Sequence, residues 1–377
     1  MPTPVELRDL VWIRGALQTA IALEHATMPL YCAAMYSLEV QNYPSYNTIR
    51  SVLMEEMVHM AIAANMVAAL GGSPAIKGLR PAYAGRTGLP GGVAPDLRPR
   101  LAKLSGPALE AFMRLEAPDF LLNSRQRAAA YPTIGSFYAA IRAAIAHNAR
   151  AVEAAVRRGG PSHQVGGNLG YRTFERDDPD PVGSFLAALD VITEQGEGGG
   201  RGTVETAAEV FQKEGSHYAR FAELRYGRRY LPREGVPFAR ETEREFFTGE
   251  EIAWPVVVNT LAVPADGYEA VLALDPRGPD VRKELDAFDE AYTQMMTALD
   301  ATWNGPVEIW WPTLGAAVTQ MDQMRVRSCF TIMRNEIPRP VVGRLRELYP
   351  AEFRALERHT DLDAPVFYGP RFLNNSV

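Results

Sequence analysis

Cysteine is almost missing from this chain: Cys32 and Cys329 are the only two in 377 residues. A disulfide framework is therefore excluded as the source of stability, and a reducing cytoplasm is the expected setting. Lysine is nearly as scarce, four of 39 basic residues, and the net charge is −6. No basic stripe offers a footprint for nucleic acid. No uninterrupted apolar run reaches the roughly 18 residues of a membrane span. The start, "MPTPVELRDLVWIRG", lacks the basic-then-apolar order of an export signal. Repeats and low-complexity tracts are also absent. What is there is ordinary for a globular protein, 47% apolar and 22% charged, in a length that suits one large domain or two smaller ones.

Helical periodicity dominates. Residues 7–40 read as one long helix with Leu10, Ile13, Leu17, Ile21, Met28, Tyr31, Met35 and Leu38 on one seam, bent near Pro29. A second helix is expected over 46–70, ending at "GGSP". After a Pro- and Gly-rich loop, further helices are expected near 101–116, 134–157, 182–196 and 204–226. Residues 158–181 read as irregular, with a short strand at the centre, and "IAWPVVVNTLAV" as extended. Two more helices follow at about 280–303 and 312–334, before a polar tail. The fold class is all-α: a four-helix bundle over 1–230 with additional C-terminal helices over 231–377 packed on it.

Chemistry concentrates on two seams. In the second helix the seam runs Ile49, Val52, Glu56, His59, Ala63, Met66, Leu70, while Glu55 lies off it, either exposed or behind Glu56. The helix at 204–226 repeats the pattern with Ala207, Val210, Glu214, His217, Phe221 and Leu224. Glu24 sits on the first helix's seam between Ile21 and Met28. An unpaired buried carboxylate costs several kcal/mol, so glutamates on inward seams need a shared partner. Metal ions supply one. A Glu-x-x-His pair puts a carboxylate and an imidazole one turn apart on one face, and two such helices plus single glutamates from two others build a dinuclear carboxylate site. Oxygen and imidazole donors suit iron or manganese. The alternative is a set of buried Glu–His or Glu–Arg networks without metal. The fourth helix's glutamate stays open: Glu194 and Glu197 in "ITEQGEGGG" are candidates, whereas Glu153 falls off its helix seam.

These residues carry a resemblance. The stretches "LEHATMPLYCAAMYS", "EEMVHMAIAANMVAALGGSP", "YPTIGSFYAAI", "ITEQGEG", "EGSHYARFAEL", "YTQMMTALDATWNG" and "YGPRF" are similar to the ferritin-like family that includes the C-terminal half of iminophenyl-pyruvate dimer synthases. Those enzymes act in violacein, rebeccamycin and staurosporine-type biosynthesis. The resemblance implies a ferritin-like bundle with a non-haem iron centre of one or two ions, manganese being the alternative. It implies Glu24, Glu56, His59, Glu214 and His217 as ligands, and Glu197 as a ligand or close neighbour. One departure stands out: Ser136 occupies a position where the family pattern carries Glu, which raises the prospect of a depleted site. The implied activity is a metal-dependent oxidoreductase of secondary metabolism, acting on an amino-acid-derived, and by the resemblance tryptophan-derived, small molecule. No nucleic acid or membrane partner is expected, and a homo-oligomer is an open alternative. Two competing readings are a metal-free ferritin-like scaffold and a non-redox metal hydrolase.

The remaining features read more plainly. His25, next to Glu24, points off the seam, and His147, His163 and His359 have no Glu at ligand spacing. Tyr31 shares Glu24's seam and is read first as core packing. The Met-rich "AAVTQMDQM" reads as a packing surface, and "WNGPVEIWWP" as a pocket wall or subunit contact.

Overall fold

In a computed structural model, the described residues are 3–39, 44–80, 83, 88–166, 171–198, 204 and 215–375. Two long helices form the centre: α1 (Leu10–Tyr36) and α2 (Pro44–Ala69). Around one side lie α3 (Gly106–Leu115), α4 (Ser124–Arg127), α5 (Ile134–His147), α6 (Ala149–Arg158), α7 (Pro181–Glu197) and α8 (His217–Tyr226). On the other lie α9 (Glu269–Leu272), α10 (Gly278–Asn304) and α11 (Trp310–Phe330), followed by the short α12 (Arg339–Val342), α13 (Leu345–Leu348) and α14 (Phe353–His359). The sheet content is one antiparallel pair, β1 (Arg228–Tyr230) with β2 (Phe247–Glu251).

Local chemistry explains where the helices start and stop. Asp9 accepts from Trp12 N–H at the head of α1 (2.9 Å), Ser105 caps α3, Asp180 and Pro181 open α7, and Ser216 caps α8. Gly227, at φ 69°, ends α8 in the left-handed conformation that glycine adopts without strain. The single helix expected over 134–157 is two. Asn148 Nδ2 bonds Ala144 O (2.8 Å) and Arg8 O (2.7 Å), so the side chain competes with the helical ladder and the chain turns there. α1 continues through Pro29 as one helix. The helix expected over 204–226 is described only from His217, and Glu214 lies outside the described residues. No strand occurs in the described part of 158–181, and "IAWPVVVNTLAV" makes only isolated bridges, Val257 with Leu38 and Thr260 with Phe367.

One connected core runs from Ile13 to Phe372. α1 and α2 pack antiparallel within it, α3 packs on α8, and α5 on α7. The C-terminal pieces join the same core: Trp303 Nε1 donates to Asn65 Oδ1 (2.8 Å), and the buried Arg371 guanidinium holds the tail to Asp289 (2.7 Å) and Asp286. α2 is long and apolar enough to cross a membrane by length and composition, yet 78% of its apolar window is buried among the other helices. Its mean hydropathy comes from core residues rather than from an uninterrupted apolar run.

Candidate metal centre

The α1–α2 pair turns three of its polar side chains toward α3, α7 and α8. Glu24, Glu56 and His59 are all buried, and their donor atoms lie within 4.8 Å of one another. A second group, Glu56, Glu116 and His217, satisfies the same condition. Glu56 belongs to both, so one carboxylate lies between two three-donor sets. Glu116 is the residue that sequence reasoning missed. It caps the C-terminus of α3 and is 5% exposed. The signal was available: Leu109, Phe112 and Glu116 continue the same three-four spacing.

Both histidines present the same atom inward. His59 Nε2 bonds Gln195 Oε1 (2.6 Å), which only accepts, so the proton sits on Nε2 and the Nδ1 lone pair faces Glu24 (3.6 Å). His217 Nε2 bonds Glu55 Oε2 (2.8 Å), and its Nδ1 faces Glu56 Oε1 (2.7 Å) and Glu116 Oε2 (3.6 Å). Despite that proximity, His217 Nδ1 makes no hydrogen bond. A buried nitrogen among carboxylate oxygens, with no proton shared by geometry, is a position for a cation. An outward Nε2 held by an acceptor is how metal-bound histidines are oriented. The donor set therefore fits one or two metal ions.

The supporting residues are paired as well. The Tyr138 hydroxyl donates to Glu24 Oε1, and the Tyr31 hydroxyl donates to Glu116 Oε1. Thr27 Oγ1 bonds Glu56 Oε2 (3.1 Å) and its own helix at Glu24 O (2.7 Å). Arg220 pairs with Glu55. Glu55 is thus neither exposed nor idle: it is buried and braces His217.

The electrostatics follow from crowding. Burial, then the charges of Glu116 and Glu24, push Glu56 well above the ordinary carboxylate range. Burial would raise Glu24 too, but the neighbouring His59 imidazole outweighs that and lowers it. Burial also opposes ionisation of Glu55, yet His217 and Arg220 bring it down to about 2. His217 is desolvated, which alone would lower it, but the charge of Glu56, the nearby Glu116 and the bond to Glu55 carry it well above the usual value. With Glu55 balanced by Arg220, the core holds an excess of negative charge that a bound cation would neutralise.

Two expectations take a different form. Glu197 stands outside both donor groups. It ends α7, and its Oε1 accepts the Gly135 N–H (2.7 Å) at the start of α5. A Cβ at Gly135 would collide with that carboxyl, so the contact depends on glycine. Burial pushes Glu197 up to about 8, although the Gly135 N–H favours the anion. Ser136 lies outside both donor groups. It closes a capping box with Thr133 at the head of α5, each side chain bonding the other's backbone N–H (3.0 and 2.9 Å). The carboxylates of the donor groups are Glu24, Glu56 and Glu116. Glu197, Ser136 and Tyr138 share the wall of an open cleft of about 620 Å³ between α5 and α7. His25 is buried rather than exposed, and its Nε2 bonds the Tyr292 hydroxyl (2.7 Å) on the α10 side.

Comparison with known proteins agrees with this architecture. The chain is similar to a solved structure titled as a ferritin-like protein from Caulobacter vibrioides. The TM-score is 0.58 at 20% identity, over 84% of this chain and 94% of that one, a likeness of fold. No curated protein matches the sequence. The family model described as Ferritin-like matches residues 17–226, more than half the length and spanning every residue of both donor groups, and the chain belongs to that family.

Proposed function

We propose that the chain is a metal-dependent oxidoreductase of the non-haem iron type, acting on an amino-acid-derived small molecule in secondary metabolism, as the iminophenyl-pyruvate dimer synthase resemblance implies. The observation that carries the metal reading is the pair of buried donor groups sharing Glu56, each with an imidazole Nδ1 turned inward. Glu24, Glu56, His59, Glu116 and His217 hold the metal, and Glu214 is the further ligand that the Glu-x-x-His spacing assigns. Bound iron supplies dioxygen activation and electron transfer.

The chain's own residues do the rest. Gln195 and Glu55 fix the imidazole tautomers, and the Tyr138 and Tyr31 hydroxyls fix the outer carboxylates. The packed core of α1, α2 and α8 excludes water around them. Substrate enters the α5–α7 cleft, where Tyr138 separates it from Glu24. With its pKa near 8, Glu197 keeps a proton at neutral pH, and Oε2, the oxygen not engaged by Gly135, can donate it to a substrate in the cleft.

Metal analysis tests the reading. Protein purified without chelators, or loaded anaerobically with Fe(II), should hold stoichiometric iron or manganese and consume oxygen with Fe(II) present. Absence of bound metal after loading would sink the enzyme reading in favour of a scaffold. Tightly bound zinc without oxygen consumption would favour a hydrolase.

A further inference from the structure

The opposite face of the α1–α2 pair borders a second space. Between α1, α2, α10 and α11 lies a cavity of about 500 Å³, and none of the donor residues lines it. Its wall on α1 runs from His25 to Tyr36, and on α2 from Tyr46 to Ala61. Along α1, eleven helical rises of 1.5 Å make a channel roughly 16 Å long. Eight of the chain's thirteen methionines line it. Such a concentration is not needed to fill a core, because branched side chains pack more tightly. Methionine is suited to a wall that must adapt to an apolar guest. The volume is that of a small-molecule site rather than a packing defect.

The polar groups are unevenly distributed. Arg50 and Arg325 stand at the end where α1 finishes, beside Tyr36 and Tyr46. Arg325 pairs with Asp322 (2.8 Å), whereas Arg50 forms no ion pair among the described residues. At the other end the wall is Leu299, Leu314 and Trp303, whose indole N–H is already engaged by Asn65. The polar pair His25 and Tyr292, where the α1 wall begins, is hydrogen-bonded to itself. α11 buries only Ala317, Met324 and Ser328, so most of its side chains are partly or fully exposed.

We propose that this channel binds an unbranched aliphatic carboxylate, its chain along the methionines and its carboxylate on Arg50. A long apolar lumen with one cationic end matches that shape and charge. The site is separate from the metal centre and does not depend on the oxidoreductase reading.

The test is calorimetric titration of the full chain with dodecanoate, with dodecanol as the uncharged counterpart. Dodecanoate should bind one per chain. Arg50→Gln should weaken it about three- to fivefold while leaving dodecanol unchanged, the range expected for loss of a single solvent-exposed charge pair. Met321→Trp, which fills the lumen, should abolish binding of both. Circular dichroism and urea unfolding of each variant, measured alongside, report that the bundle has folded. Failure of dodecanoate to bind the wild-type chain, or binding unaffected by both substitutions in folded variants, overturns the proposal.

Discussion

Replacing Glu56 by Gln tests the shared-carboxylate geometry most directly. Glu56 belongs to both donor groups, Glu116 only to the His217 side and Glu24 only to the His59 side. Manganese(II) avoids oxidation during the measurement. At a free concentration one hundred times its dissociation constant, each bound ion stabilises the fold by about 2.7 kcal/mol. Two ions therefore contribute roughly 5 kcal/mol over the metal-free protein. Loss of even an outer support costs ten- to a hundredfold in affinity, and loss of a donor costs no less. At the same manganese concentration, the gain per affected site should then fall to about 1.4 kcal/mol or below. Glu56→Gln should lower both sites together, and Glu116→Gln or Glu24→Gln one site each. The assay is urea unfolding with and without manganese, paired with metal content after dialysis. A Glu197→Gln control should keep full stoichiometry. If Glu56→Gln loses no more metal than Glu116→Gln, the shared position is refuted.

Tyr138→Phe should leave the fold intact and weaken metal retention on the Glu24 side by ten- to a hundredfold, read by competition with a chelator. Asn65→Ala should destabilise the protein by about 3 kcal/mol or more in urea. Its amide bonds Val165 O (3.0 Å), Arg172 O (2.9 Å), Val165 N–H (2.9 Å) and Trp303 Nε1 (2.8 Å), and their loss leaves buried groups unpaired. Glu197 gives a pH signature. Its folded pKa, about 8, lies above the unfolded value, so its contribution is full below the unfolded pKa and is lost as pH rises toward 8. Glu197→Gln should therefore gain on the wild type between pH 5 and 9, by roughly 4 kcal/mol at most, and a difference that stays flat across that range would contradict the assignment.

Much of this arrangement was legible because a long helix seam is a strong signal. Glu24, Glu56 and His59 interrupt otherwise apolar seams of α1 and α2, and the structure has all three buried side by side. Glu116 escaped because α3 has only ten residues, too few for one polar residue at its end to look like an interruption. Glu197 was chosen from a motif rather than a seam; the residue of that stretch facing the cluster is Gln195, which follows Ile192 at helical spacing. Glu55 could not be placed by periodicity. Its burial depends on Arg220 arriving from α8, a pairing 165 positions distant in sequence. The methionine-lined channel is illegible for the same reason. It exists only where α10 and α11 fold back onto α1 and α2, and along each helix its methionines look like ordinary core.

The two halves of the donor cluster are alike in plan and unlike in setting, and the difference assigns them different work. On one side His59 leans on the neutral amide of Gln195; on the other His217 leans on Glu55, a carboxylate held ionised by His217 itself and Arg220. An anionic partner raises the basicity of an imidazole more than an amide does, so the His217 side is the more strongly donating position. Access is divided in the opposite sense. Tyr31 and Tyr138 are both buried, but Tyr31, on the His217 side, packs against Phe112 and Phe221 (ring centroids 4.8 and 4.9 Å apart), whereas one edge of Tyr138, on the Glu24 side, borders the cleft. Under the proposed function, the His217 side retains the ion and the side behind Tyr138 is the one nearer the substrate. Tyr31→Phe and Tyr138→Phe separate these roles: the first should release metal from the His217 side, while the second should also alter substrate KM, because its ring lines the route of entry. Equal effects of the two variants on KM would remove the distinction.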